Sequence, residues 1–207
     1  MVWKNDQVGA AETEVILRFA RECLGVNGDF VEFGCYKGDT SLLLAEILRE
    51  KDKKLADLNA KSKNDGFRQK LWIYDSFEGL PEKREVDFSE LGRDFKAGEL
   101  AVSKREVKER FLRAGLPVPV ITKAWFKDLT ETDLPERIAF GFLDGDLYES
   151  IEESLKLVEG RMVNGGVILV HDYDNLALPG VAKAVDEWAK KHKIEAVRVE
   201  GMALIRF

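Results

Sequence analysis

Six side chains that can handle protons or metal ions stand where short apolar runs end: Glu32, Asp75, Asp144, Asp146, His171 and Asp172. Each run has the length and the β-branched or aromatic content of a buried strand. In open α/β sheets, ligands bind in the crevice outside the carboxyl ends of the strands. These residues therefore converge on one candidate site. Asp144, Asp146, His171 and Asp172 come from two neighbouring runs. Carboxylates that close repel unless one is protonated or a cation neutralises them, and a divalent ion does this economically. Oxygen ligands suit Mg²⁺, whereas the imidazole of His171 draws preference towards Mn²⁺ or another divalent ion. Three roles stay open to His171: metal ligand, general base acting without metal near its own titration range, or hydrogen-bonded structural residue.

A second constellation is Val31-Glu32-Phe33-Gly34-Cys35-Tyr36-Lys37-Gly38-Asp39-Thr40-Ser41. It predicts a strand, a tight glycine turn and a helix N-terminus, where backbone N–H groups are free for a polar ligand. Gly38 is followed by Asp39 rather than Lys, so this is no G-x-x-x-x-G-K-[ST] loop, and two glycines do not make G-x-G-x-x-G. An acid on the strand and a short loop suit a ligand with an amino acid end better than a pyrophosphate. A purely structural turn is the competing reading. Asp75 has two carboxylate oxygens to accept from the two hydroxyls of a ribose, or it makes an Asx-turn ahead of Ser76. Phe77, Trp125 and Phe126 offer faces to a purine ring or serve as core aromatics.

These residues need a scaffold. Apolar periodicity predicts helices over residues 10–24, 40–49, 103–116 and 181–192, and another through Ile151, Leu155 and Val158. Ser103 and Glu106 form a capping-box pattern at the third of them. Strands are expected in the short apolar run that ends at Glu32 and at residues 71–74, 118–122, 138–143 and 167–170, the last entered by a turn at Asn164-Gly165-Gly166. A hairpin about Glu200-Gly201 would join residues 195–199 to 203–207. Residues 51–69 read as a frayed helix end and exposed loop. Residues 82–102, with Phe88 and Phe95, read as a partly ordered lid, because so long a connection in a compact domain is commonly functional. The sum is an α/β, Rossmann-like, doubly wound and mostly parallel seven-stranded sheet with an antiparallel C-terminal strand.

The 207 residues are expected to form one domain, 1–207, with residues 1–27 as a helical cover. A net charge of −6 disfavours nucleic acid as a partner. No apolar run approaches the roughly 20 residues of a membrane span, and the first residues lack the apolar core of a signal peptide. Cys23 and Cys35 form neither a disulfide framework nor a C-x-x-C site. A cytoplasmic protein is expected, with a homodimer as the base-rate assembly.

Glu32-Phe33-Gly34-Cys35-Tyr36-Lys37-Gly38, Asp75-Ser76-Phe77-Glu78-Gly79-Leu80-Pro81, Trp125-Phe126-Lys127-Asp128, Leu143-Asp144-Gly145-Asp146-Leu147-Tyr148-Glu149-Ser150 and His171-Asp172-Tyr173 together resemble the macrocin O-methyltransferase family. The resemblance implies a class I methyltransferase fold, S-adenosyl-L-methionine as cofactor, Mg²⁺ assistance and a hydroxyl of a sugar or other small natural product as acceptor. It implies that Gly34, Tyr36, Gly38 and Thr40 hold the methionine end of the cofactor, braced by Glu32. Asp75 would take the ribose hydroxyls, with Ser76 and Phe77 beside the nucleoside and Trp125 and Phe126 near the adenine. Asp144, His171 and Asp172 would hold the metal, with Asp144 and His171 in catalytic roles. The family pattern has two consecutive acids where this chain has His171-Asp172. Rival readings are a metal-independent methyltransferase with His171 as base, a nucleotide-binding oxidoreductase with Asp75 on the ribose of NAD, and a non-catalytic domain of the same fold.

Overall fold

The computed structural model describes residues 7–59, 67–91 and 94–207. Its core strand is β4 (Ile138–Leu143), every residue of which is buried. β1 (Asp29–Phe33) and β5 (Met162–Val170) flank it in parallel. β2 (Leu71–Asp75) and β3 (Val120–Lys123) extend the parallel sheet on one side. On the other side, β7 (Met202–Arg206) runs antiparallel to β5 and pairs with β6 (Ala196–Val199). The order is β3-β2-β1-β4-β5-β7-β6. The direction of winding reverses between β1 and β4, where such sheets place their ligands.

Side chains of successive strand residues point to opposite faces, and the sheet is accordingly covered twice. Phe30, Ile73, Phe140 and Leu169 meet α1 (Ala10–Glu22), α2 (Asp39–Asn59) and α3 (Lys104–Ala114) on one face. Val31, Phe33, Ile168 and Val170 meet α4 (Tyr148–Glu159) and α5 (Pro179–His192) on the other. Ser103 caps α3 as the capping-box pattern predicts, its hydroxyl accepting from Glu106 N. Cys23 and Cys35 are buried free thiols. Among the described residues, no helix is long and apolar enough to cross a membrane.

Three boundaries differ from the sequence expectation. α2 does not stop near Arg49 but continues to Asn59, and Lys51 Nζ ties it to Phe67 O and Gln69 Oε1 at 3.1 and 2.9 Å. Part of the expected 51–69 loop, residues 60–66, lies outside the described residues. β3 begins at Val120 rather than Val118, since Pro119 has no N–H for the ladder. Asn164-Gly165-Gly166 does not precede β5 but lies inside it as an irregularity: the partner of Ile138 is Met162, whereas that of Phe140 is Val167. Gly165 adopts φ +82°, and its N–H donates to Phe207 O at 2.8 Å.

The segment expected to form a lid is anchored at several points. Asp87, in a short 3₁₀ turn, is buried, and its Oδ1 accepts from Tyr148 N at 2.7 Å. Gly98 N donates to Leu80 O and Leu80 N to Glu99 O. Phe95 and Leu100 face the cleft described below, while Phe88 is exposed.

Candidate active site

β1 ends at Phe33, and the chain turns at once through Gly34 at φ +83°. A Cβ there would lie 1.9 Å from the carbonyl oxygen of Asp144, so only glycine lets the β1 and β4 ends close together. Gly38 N donates to Cys35 O at 2.6 Å and closes the turn before α2. Asp75 governs the loop from the adjacent strand end. Its Oδ2 accepts from the backbone of Cys35 and Tyr36 at 2.9 and 3.2 Å, and its Oδ1 accepts from Phe77 N at 2.7 Å. Three of the roughly four acceptor positions of a carboxylate are thus used by backbone amides. Asp75 makes the Asx-type bond and also lines the cleft.

The cleft, about 190 Å³, is lined by Gly34, Tyr36, Asp75, Ser76, Trp125, Phe126, Asp144, Asp146, His171 and Asp172 among the residues expected from sequence. Phe126 stands edge-on to Phe33 at 5.2 Å and leaves an aromatic wall beside Trp125. Glu32, Gly38, Thr40 and Phe77 are not among the lining residues. Glu32 is buried behind the loop, accepting from Ser41 Oγ. Thr40 is buried in the first turn of α2. Phe77, expected beside a nucleoside, is buried in the core on the α1–α3 side of the sheet and has a φ of +54°.

At the far side of the cleft, His171 is 5% exposed and surrounded by acids. Its Nδ1 lies 3.0 Å from Asp144 Oδ1 and 3.2 Å from Asp172 Oδ2, and its Nε2 lies 3.4 Å from Glu12 Oε1. Asp172 sits at φ +56° and is held by Asn175 Nδ2 at 2.9 Å. Burial opposes a charge on His171, but Asp144, Asp172 and Glu12 outweigh it and raise the imidazole well above its ordinary value. Burial would raise Asp172, but bonds from His171 and Asn175 bring it below the usual range. The ion-pair contact with His171 likewise lowers Glu12. Asp146, at φ +61° on the cleft wall, goes the other way: burial, then the charges of Asp144 and Asp172, raise it far above an ordinary carboxyl.

Asp144, His171 and Asp172 each present one donor atom, all within 4.8 Å of one another. Adjacent ligands of an octahedral ion with bonds of about 2.1 Å stand ~3 Å apart, which the two contacts of Nδ1 match. The donor set therefore fits a divalent ion. The same contacts equally suit a protonated imidazole that neutralises the acids itself. For a cofactor, the observation that fits is the close approach at Gly34, which leaves the loop backbone open to the cleft beside Asp75 and the aromatic wall.

Sequence reasoning missed Glu12, Gln7 and Asn175, whereas Phe95 and Leu100 lie in the segment expected to form a lid. Glu12 carried no signal, because it sits on a charged turn of an amphipathic helix and reaches His171 only through the docking of α1 on the sheet. Asp146 was expected in the acidic cluster that a cation would neutralise; it lines the cleft, while the group of donor atoms within reach of one ion is Asp144, His171 and Asp172.

The macrocin O-methyltransferase (TylF) family model matches residues 13–203. A tetracenomycin rhamnosyl 4'-O-methyltransferase of Streptomyces olivaceus is 32% identical over 82% of this chain and 61% of its own length. Demethyldecarbamoylnovobiocin O-methyltransferase of Streptomyces niveus is 29% identical over 92% of this chain and 70% of its own. The chain thus spans roughly two thirds of the length of these curated relatives. The solved structure of the O-methyltransferase NovP superposes with a TM-score of 0.75 at 28% identity, covering 96% of this chain and 80% of NovP. A calicheamicin methyltransferase superposes at 0.71 with 19% identity, over 94% of this chain and 78% of its own, a likeness of fold. With the class I methyltransferase sheet and the family match over nearly its whole length, the chain belongs to the macrocin O-methyltransferase family.

Proposed function

We propose that the protein is an S-adenosylmethionine-dependent O-methyltransferase acting on a hydroxyl of a sugar or other small natural-product acceptor. The observation that carries this is the meeting of the Gly34 loop, Asp75 and the Asp144–His171–Asp172 cluster in one cleft at the β1/β4 switch point. A relative named for acting on a rhamnosyl tetracenomycin supports the acceptor class.

In this reading, S-adenosylmethionine supplies a methyl group on a positively charged sulfur. The backbone of Gly34 and Tyr36 receives its amino acid end, and Glu32, Gly38 and Thr40 hold that loop from behind. Asp75 braces the loop and turns its remaining acceptor position to the ribose, beside Ser76. Trp125 and Phe126 flank the adenine. Asp144, His171 and Asp172 would hold a divalent ion, Mg²⁺ or Mn²⁺, which would supply the charge that lowers the pKa of an acceptor hydroxyl. A vicinal diol offers two oxygens to such a site. Phe95 and Leu100 exclude water from the cleft, and the remaining acceleration comes from proximity and alignment.

The ion pairs of His171 favour a second reading, in which the protonated ring replaces the metal as counter-charge. Calorimetric titration with S-adenosylhomocysteine in Mg²⁺, Mn²⁺ or EDTA tests both. Binding is expected, and its absence in every condition would overturn the methyltransferase assignment. Turnover that survives EDTA selects the metal-free reading. Asp144→Ala is expected to lower turnover by about 100-fold or more, and near-normal activity would refute the metal role.

A further inference from the structure

We propose that Glu12 is the outer carboxylate that orients His171 as a metal ligand, and that the site selects a first-row transition-metal ion such as Mn²⁺ or Co²⁺ over Mg²⁺. The inference rests on the metal-assisted reading above and assigns what this chain's own residues do within it.

The imidazole presents one nitrogen to each side. Nδ1 sits between Asp144 Oδ1 and Asp172 Oδ2, at the spacing of neighbouring ligands on one ion. Ligation through Nδ1 leaves the ring proton on Nε2. That nitrogen is fully buried and has no hydrogen bond, and the group facing it is Glu12 Oε1, 3.4 Å away in an ion-pair contact. A buried N–H needs an acceptor, and a small closure of this gap supplies one. Metal-bound histidines characteristically donate their other N–H to a carboxylate or carbonyl, which fixes the ring and raises its basicity.

Glu12 is set for this position by its own helix end. Its Oε2 accepts from Gly9 N at 2.7 Å, which leaves Oε1 turned to the histidine. Gly201, at φ +79° in the β6–β7 turn, makes room, since a Cβ there would stand 3.2 Å from Oε1. α1, the end of β5 and the C-terminal hairpin therefore converge on one ring. Two carboxylate oxygens and one imidazole nitrogen form a harder–softer mixture. Imidazole adds affinity along the series from Mn²⁺ to Cu²⁺ and little for Mg²⁺, which prefers oxygen.

The test measures metal binding directly, with each metal ion alone as the probe. Mn²⁺ binding is followed by loss of its free-ion paramagnetic resonance signal, Mg²⁺ by competition and Co²⁺ by its visible absorption. S-adenosylhomocysteine binding is titrated on the same samples. The wild type is expected to bind Mn²⁺ roughly ten-fold or more tightly than Mg²⁺. His171→Asp should bring the two affinities together. Glu12→Ala should weaken Mn²⁺ by about 10- to 100-fold with S-adenosylhomocysteine binding unchanged, and Glu12→Gln, which keeps an acceptor oxygen, should recover part of the loss. Equal Mn²⁺ and Mg²⁺ affinity in the wild type, unchanged Mn²⁺ affinity in Glu12→Ala, or equal losses in Ala and Gln would overturn the proposal. Loss of S-adenosylhomocysteine binding by the wild type would instead overturn the methyltransferase assignment.

Discussion

The carboxyl of Glu32 has almost no water around it, being 1% exposed. Burial first, then the charges of Asp144, Asp75 and Asp39, outweigh the Ser41 hydrogen bond and push its pKa up to about 8 from an ordinary 4.5. The folded chain therefore keeps this proton where the unfolded chain has lost it. The stability this contributes is complete below about pH 4.5 and is lost as pH rises through 8. Glu32→Gln, which mimics the neutral acid, should remove this slope. In urea unfolding at pH 5 and pH 8, the wild type should lose on the order of a few kcal/mol more than the variant between the two. Equal pH dependence would show that Glu32 ionises freely. Gly34→Ala presses a methyl group into the Asp144 carbonyl at positive φ, so it should cost more than about 2 kcal/mol and abolish S-adenosylhomocysteine binding. A variant that melts and binds normally would mean the two strand ends can separate.

At the scale of elements, the 82–102 segment is a strap as much as a lid. The N-cap of α4, Leu147, offers no side-chain acceptor. Asp87 serves from outside, its Oδ1 taking Tyr148 N at 2.7 Å and its Oδ2 taking Arg84 N at 3.0 Å. Gly180, at the start of α5, packs so closely that a Cβ would lie 1.9 Å from Asp87 Oδ1. One buried carboxylate thus joins the strap to the beginnings of two helices. Asp87→Ala should destabilise the protein by about 1–3 kcal/mol and speed limited proteolysis within residues 82–102. A variant as resistant and stable as the wild type would mean the strap is held elsewhere.

For the whole molecule, protection should follow the sheet's order. β4 is buried throughout and bonded on both sides, whereas the edge strands β3 and β6 are half exposed. Native-state hydrogen exchange should be slowest in β1, β4 and β5 and fastest in β3 and β6, since small openings release edges first. S-adenosylhomocysteine should slow exchange in the Gly34 loop and at Phe95 to Leu100, with little change in β6. A uniform pattern would contradict a rigid central sheet carrying a ligand-responsive rim.

The sequence by itself determined the order of strands and helices, the antiparallel hairpin and the line of polar strand ends, because each is written locally. Periodicity of 2 or 3.6, a glycine that must take positive φ, and a β-branched run act over a few residues. Asp144, His171 and Asp172 were legible for that reason, since they end adjacent strands of a recognisable sheet. Only the tertiary structure decided which partners those polar groups take. Asp75 has several acceptor positions, and nothing near it in sequence says that Cys35 and Tyr36 fill two of them. Phe77 turned inward, and Asn164-Gly165-Gly166 was drawn into β5 by the chain's last residue, because packing and pairing overrode local turn chemistry. Asp87 beneath Tyr148 and Glu12 beside His171 depend on where a strap and a helix dock. Such contacts form between residues far apart in the chain, where local patterns carry no information and the shape of the assembled core sets the distance.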